Sequence, residues 1–309
     1  MKLSHFLGPT SFFQRDFAEP WAKELETLTN GAVHLEIYDG ASQFGDVTRQ
    51  AEQVTDGTID IALGLRGAEG DRFPLTSIIE LPFMVKNALD GSRALWRLYE
   101  EGVLGDDYKD FKVLALFVHN PGLIHTTVKR IIGPDDLKDQ RLRAPNATVA
   151  GALRSLGATP VILQVNDVMP AVRRGDIDGV VTNWGNPLQD FNDYMKHHTA
   201  IAFYTSAFFV VMNKQRFASL SPDVQGALDK ASNSALVTRF GLLWNEWDRP
   251  LRTGASGPEQ ETIEPDPISL AQWRNALKPF TGQYLRDLAA SGFTNAHDIY
   301  KKLRNWQCQ

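Results

Sequence analysis

The segment "RLRAPNATVAGALRSLGATPV" sets Arg143 three residues ahead of Asn146. The spacing predicts a short strand over 141–144 with Arg143 at its C-terminal end. Pro145 fixes the exit, and Asn146 is a good N-cap for a helix through Leu156 that Gly157 ends. A guanidinium and the positive end of a helix then converge on one point. Both favour an anion, and a guanidinium can grip a carboxylate with two parallel hydrogen bonds. The chemistry on offer is recognition of a small organic acid. The alternative for Arg143 is a surface ion pair with Asp135 or Asp136.

A second constellation lies in "VVTNWGNPL", at the end of another predicted strand. Asn183 offers a donor and an acceptor, and Trp184 offers a wall on which a ring could stack. The alternative is that Trp184 covers its own domain's core, the commoner fate of a single Trp. At the matching position of an earlier strand stands "GLRGAEG", with Arg66. In open α/β sheets such strand ends are where ligands bind.

Catalytic patterns are missing. The chain has no Gly-x-Ser-x-Gly elbow, no His-Glu-x-x-His and no phosphate-binding loop, and "GLRGAEG" is not spaced as a dinucleotide fingerprint. His119 and His125 are six residues apart, and His197 and His198 are adjacent, neither a helical metal-ligand spacing. One cysteine, Cys308, allows neither an internal disulfide nor a multi-thiol metal site. No catalytic residue, metal or cofactor is expected.

The elements that must position these residues repeat. "QVTDGTIDIAL" and "AVRRGDIDGVV" align Val54 with Val172, Gly57 with Gly175, Ile59 with Ile177 and Asp60 with Asp178. Each reads as the end of a helix, a turn and a buried strand. Around the first copy, Phe13, Phe17, Trp21, Leu25 and Leu28 mark one helix face stopped by Asn30-Gly31, and Val33–Ile37 alternates as a strand does. Asp46 can cap a helix running to Gly57, and Ile59–Leu65 is a strand. Around the second copy come a strand over 159–163, a helix capped by Asn166 and a strand over 177–181. The pattern predicts two α/β domains of similar topology. Ser221-Pro222 opens a further helical pattern over about 222–249, long enough to brace both domains. The reading gives domain I as 1–118 plus about 205–250, and domain II as 119–204 plus about 251–309.

The 309 residues are 43% hydrophobic and carry a net charge of −5 with no long basic run, so nucleic acid is not an expected partner. No apolar run reaches the ~20 residues of a membrane span. The first residues lack the charged and apolar regions of a secretory signal, which fits either a cytosolic protein or a mature exported one.

The run "DLKDQRLRAP…LRSLGATPVILQVNDVMPAVRRGDIDGVV…NPL" resembles the signature of the substrate-binding proteins of TRAP (tripartite ATP-independent periplasmic) transporters. "GAVHLEIYDGASQFGD", "GTIDIAL", "FPL…LPFM" and "LSPDVQGAL" fit the same family, so the likeness runs from His5 to about Phe280. The resemblance implies two α/β domains joined by a hinge and braced by a long helix, with an interdomain ligand cleft. It implies capture of a small organic acid, delivery to the membrane permease subunits of a TRAP transporter, and a periplasmic location with the signal already removed. It places the carboxylate clamp on Arg143, its polar partner on Asn146, the contact after the Asp-Gly strand on Asn183 and an apolar contact on Val165. It also brings in the loop from His5 to Leu7 and the loop near Arg66. Many members carry a second arginine where this chain has "FVHNPGLIHTT", with Asn120 and Gly122 in that region. That departure favours a monocarboxylate over a dianion, with Trp184 and Phe208 as an aromatic wall. Two other readings stand beside it: a carboxylate sensor serving a regulatory partner, and an enzyme on carboxylates with His119 or His125 as base.

Overall fold

The two copies of Gly-x-Ile-Asp build the same corner twice. In the computed structural model, which describes residues 1–186, 188, 190–255 and 259–307, Gly57 and Gly175 end their helices in the left-handed region, at φ 78° and 72°. That backbone is open to glycine at no steric cost. Ile59 and Ile177 then bury their side chains. Asp60 accepts the backbone N–H of Lys2 at 2.7 Å, and Asp178 that of Arg141 at 2.8 Å. Lys2 and Arg141 are the first residues of the neighbouring parallel strands. Each aspartate therefore satisfies the donor that starts the next strand, and its other oxygen pairs with an arginine, Arg216 or Arg141.

Among the described residues the strands are β1 (Lys2–His5), β2 (Glu36–Tyr38), β3 (Ile61–Leu65), β4 (Phe111–Val118), β5 (Gly122–Thr126), β6 (Arg141–Ala144), β7 (Thr159–Ile162), β8 (Gly179–Thr182), β9 (His197–Tyr204), β10 (Ala207–Asn213) and β11 (Glu261–Ile263). One sheet runs β2-β1-β3-β10-β4, the other β11-β9-β5-β8-β6-β7. In the first, β2, β1 and β3 are parallel and β10 lies antiparallel between β3 and β4. In the second, β7, β6 and β8 are parallel and β5 lies antiparallel between β8 and β9. The two sheets share one pattern of parallel and antiparallel neighbours, with β11 added at the edge of the second, but the antiparallel strand comes last in the chain in the first sheet and first in the second. The repeat predicts two α/β domains of similar topology, and both sheets are mixed.

The chain divides into two compact units: residues 1–76, 92–118 and 206–243 form the first, and residues 77–91, 119–205 and 244–309 the second. The segment 77–91, read from the sequence as part of domain I, groups with the second unit. There the Phe83 N–H donates to Ala202 O at 2.8 Å and the Phe83 ring lies under the Arg274 guanidinium.

The first unit is held by an aromatic core. The Phe117 ring stacks on Phe240 at 3.7 Å and on Phe208 at 5.1 Å, and Phe17 meets Phe240 at 4.5 Å. Phe13, Phe17, Trp21 and Leu25 are buried, the helix face that their spacing predicts. The second unit covers its sheet on both faces. Val181 and Ile124 join Leu142, Leu153, Phe203 and Trp273 on one side, while Val180 and Leu123 join Val168, Met169, Phe191 and Met195 on the other. Neighbouring residues of a strand point to opposite faces, so a doubly covered sheet needs unbroken apolar runs.

The single helix expected over 222–249 is two: Pro222–Lys230 and Asn233–Gly254. Asn233 adopts φ 59°, and its Nδ2 donates to Asp229 O, closing the first helix. The Trp21 indole takes the freed Ala231 carbonyl at 2.8 Å. Asparagine tolerates the left-handed region without being an obvious breaker, which is why apolar spacing reads through it.

Candidate functional site

Arg143 stands in β6 between Val161 of β7 and Val180 of β8, in the middle of the parallel part of its sheet. Its side chain is almost wholly buried, with Nε donating to Leu163 O at 3.1 Å and Nη1 to Val181 O at 3.3 Å. Both partners are neutral carbonyls at the ends of flanking strands. The sequence alternative, an ion pair with Asp135 or Asp136, is not formed; Asp136 accepts the backbone N–H groups of Ile132 and Gly133 instead. Among the described residues no carboxylate lies within ion-pair distance of Arg143. Burial pushes its guanidinium below the usual arginine range. A buried guanidinium without a counter-charge is costly, and the cost falls when an anion arrives.

Asn146 caps the helix Ala147–Ser155, its side-chain oxygen accepting Val149 N–H at 2.9 Å. Its amide nitrogen reaches Glu80 at 3.4 Å. The cap forms as the sequence predicts, so the oxygen is committed to the helix.

The end of β8 is organised by a residue that the sequence reading passes over. Asp248, on the helix Asn233–Gly254, accepts Gly185 N–H at 2.6 Å and Asn183 Nδ2 at 3.2 Å through one oxygen, and Asn120 Nδ2 at 2.9 Å through the other. Burial raises its carboxyl above the usual range, against those three donors. In "WNEWDRPL" Asp248 reads as one more charge on a solvated helix, and no local signal marks it. Asn120 is fully engaged: both amide hydrogens go to Asp248 and Asn245, and its oxygen accepts Ala88 N–H at 2.7 Å. It has no donor left for a ligand. Asn183 donates once to Asp248, and its Oδ1 accepts no hydrogen bond from the described residues.

Trp184 packs into the second unit's own core, the alternative reading of that residue. Its ring meets His125 at 4.9 Å and His198 at 4.8 Å and is 7% exposed. The two histidines join through their Nδ1 atoms at 2.8 Å, and His125 Nε2 donates to Thr182 O. Val165 is the first residue of the helix Val165–Arg174, half-buried against the same core. That helix is capped at Gln164, not at Asn166.

In the first unit, His5 ends β1, Arg66 follows β3, and Phe208 pairs with Leu65 near the start of β10. All three sit at the C-terminal edge of the parallel strands, as Arg143 and Asn183 do in the second sheet. His5 Nδ1 accepts Leu7 N–H, so its proton is on Nε2, which donates to Gln14 Oε1 at 2.7 Å. Leu7 is buried. Arg66 is buried too, close enough to Asp107 to oppose the rise that burial imposes on that carboxyl. The Phe208 ring lies parallel to Phe117 within the aromatic core, which accounts for its burial.

His119 is buried beside Tyr204 and Trp244, its Nδ1 on Asn120 O. Burial, with Arg143 nearby, pushes it down to about 4. The folded protein thus holds His119 neutral where an unfolded chain would protonate it near 6.5. Stability is expected to fall as pH drops from about 6.5 to 4, by about 3 kcal/mol from this group alone. His125 and His198 are pushed in the same direction by burial. Urea unfolding at pH 7 and pH 4.5 tests this. His119→Gln should lose less stability on acidification than the unaltered chain, and equal losses would remove His119 from the explanation.

Among the described residues no cluster of His, Cys, Asp or Glu could hold a metal, and no helix is long and apolar enough to cross a membrane. Residues 3–287 match the family model of the bacterial extracellular solute-binding proteins, family 7. A TRAP solute-binding protein from a marine metagenome, specific for aromatic acid ligands and solved with metahydroxyphenylacetate, is 30% identical with a TM-score of 0.93 over 100% of this chain and 98% of that one. A TRAP solute-binding protein of Rhodoferax ferrireducens, solved with copurified benzoate, is 27% identical with a TM-score of 0.91 over 100% and 97%. An outer membrane transporter protein of Comamonas testosteroni, TsaT, is 24% identical over 97% of this chain and 90% of its own.

Proposed function

Because the chain belongs to the bacterial extracellular solute-binding proteins of family 7, the solute-binding proteins of TRAP transporters, we propose that it captures an aromatic monocarboxylate on Arg143 and hands it to a membrane permease in the periplasm. Binding of a small organic acid for delivery to a permease is the work of the family. The acid's class, the residues that hold it and the compartment are our reading. The observation that carries it is the buried Arg143 guanidinium, held by two backbone carbonyls and lacking a carboxylate among the described residues. One such cation suits one carboxylate, and Asn120, where many relatives have a second arginine, has no spare donor. An aromatic body is favoured by the ligands of the 30% and 27% identical structures. Asn183 would meet the ligand beside Arg143. Asn146 and Val165 would shape the surroundings, while Trp184 supports the site from within its unit's core; His5, Leu7, Arg66 and Phe208 gather at the corresponding strand edge of the first unit.

The enzyme reading finds little support at its proposed bases. His125 is tied at both nitrogens to His198 and Thr182, and His119 is buried with a strongly lowered proton affinity. A sensor would use the same site and is separated by its partner, not by its ligand.

Thermal unfolding against aromatic and aliphatic mono- and dicarboxylic acids tests the proposal. An acid at ~100 times its Kd should add ~2.7 kcal/mol and raise the midpoint by several degrees, with benzoate-type acids giving the largest shift. A dicarboxylate giving the larger shift would overturn the single-anchor reading. No shift with any acid, and no acid released on denaturing the purified protein, would overturn the function.

A further inference from the structure

Two of the three donors on Asp248 are fixed without reference to it. Gly185 gives a backbone N–H, which cannot be exchanged for an acceptor. The Asn120 amide is oriented independently, because its oxygen must face the Ala88 N–H and its nitrogen therefore faces Asp248. One donor falls on each carboxylate oxygen, so both oxygens are acceptors. The Asn183 amide, the third group, can then meet Asp248 only through Nδ2. Rotating it by half a turn would set its oxygen against a carboxylate oxygen. Gly185 permits the close approach: a Cβ there would stand 2.6 Å from Asp248 Oδ1 and 3.2 Å from Asn183 Nδ2.

We infer that Asp248 is a positioning residue that locks the side-chain amide of Asn183 with its oxygen toward the ligand, and so selects acids that carry a hydrogen-bond donor such as a ring hydroxyl. This rests on the proposed site. Asp248 does not touch the ligand; it decides which end of Asn183 does. An acceptor of fixed orientation, in a buried setting, rejects a group that cannot donate because its own hydrogen bond is left unmade.

The test is a comparison of affinities by calorimetry for benzoate, the three hydroxybenzoates and the three matching fluorobenzoates, which fill similar space but cannot donate. In the unaltered protein the best hydroxybenzoate is expected to bind about tenfold more tightly than its fluoro counterpart. In Asp248→Ala neither oxygen remains, nothing fixes the Asn183 amide, and the ratio should collapse toward one while benzoate still binds. Asn183→Ala removes the oxygen directly and should give the same collapse, and it decides the matter if Asp248→Ala does not fold. A ratio that survives either substitution, or a protein with no hydroxyl preference at all, would overturn the inference. Benzoate binding that depends on Arg143 would in that case leave the proposed function standing. No binding of any of these acids, with no acid released on denaturing the purified protein, would bring both down.

Discussion

Arg143→Met is expected to abolish acid binding while leaving the unliganded protein as stable as before, or more so. The two halves of this result have one cause. In the folded chain the Arg143 guanidinium is stripped of water and given two carbonyl oxygens at 3.1 and 3.3 Å, with no carboxylate among the described residues. Carbonyl dipoles recover part of the hydration that burial removes, but not the counter-charge. Methionine fills similar space without a charge to desolvate, and against that gain stand two strand-end carbonyls, Leu163 O and Val181 O, left without their donor. The acid loses a charge-assisted contact in a dry setting, about 2–5 kcal/mol, or roughly 30- to several-thousand-fold in Kd. Arg143→Lys keeps the charge but not the fork, and an intermediate loss is expected. Calorimetric titration with benzoate and a thermal unfolding curve of each variant read both halves. Unchanged affinity in Arg143→Met would remove the anchor. A large loss of stability would make Arg143 a structural residue that the sheet cannot fold without.

The fold was legible because its signals are local and occur twice. A glycine with positive φ, a buried isoleucine and an aspartate that receives the next strand's first N–H are fixed by a handful of adjacent residues, and Gly57–Asp60 and Gly175–Asp178 do the same work in their own sheets. Arg143 was legible for a similar reason. A cation at the end of a short strand, followed by proline and an N-cap, specifies its position within four residues.

What could not be read depends on contacts between distant segments. Asp248 gains its meaning from Asn120, Asn183 and Gly185, which lie 63 to 128 residues away in the chain. Its role could not be separated from that of Glu246 two positions earlier, which pairs with Arg249 on the surface. The break between the helices 222–230 and 233–254 likewise rests on Trp21 taking Ala231 O from 210 residues away. The same distance effect governs the packing of Trp184 and Phe208. Each has the residue type of a stacking wall, and each finds its partners in rings brought in by other strands.

Trp184→Ala is therefore expected to act chiefly on stability. The ring is 7% exposed and lies against His125 and His198, with Met169, Phe191 and Met195 in the same cluster. Removing it leaves a cavity that the paired histidines cannot close without giving up their hydrogen bonds to Thr182 and Gln260. The loss should be about 3–5 kcal/mol, as for other large aromatic truncations in cores. Ligand affinity of the folded protein is expected to change by only a few-fold, through slackening of Asn183 next to it, because the ring is spent on its own core. Urea unfolding measures the first quantity and calorimetry at 10 °C measures the second. An unchanged unfolding midpoint together with a large loss of benzoate affinity would reverse the assignment. The ring would then face the ligand, and Asp248 and Asn183 would be orienting a wall rather than an acceptor.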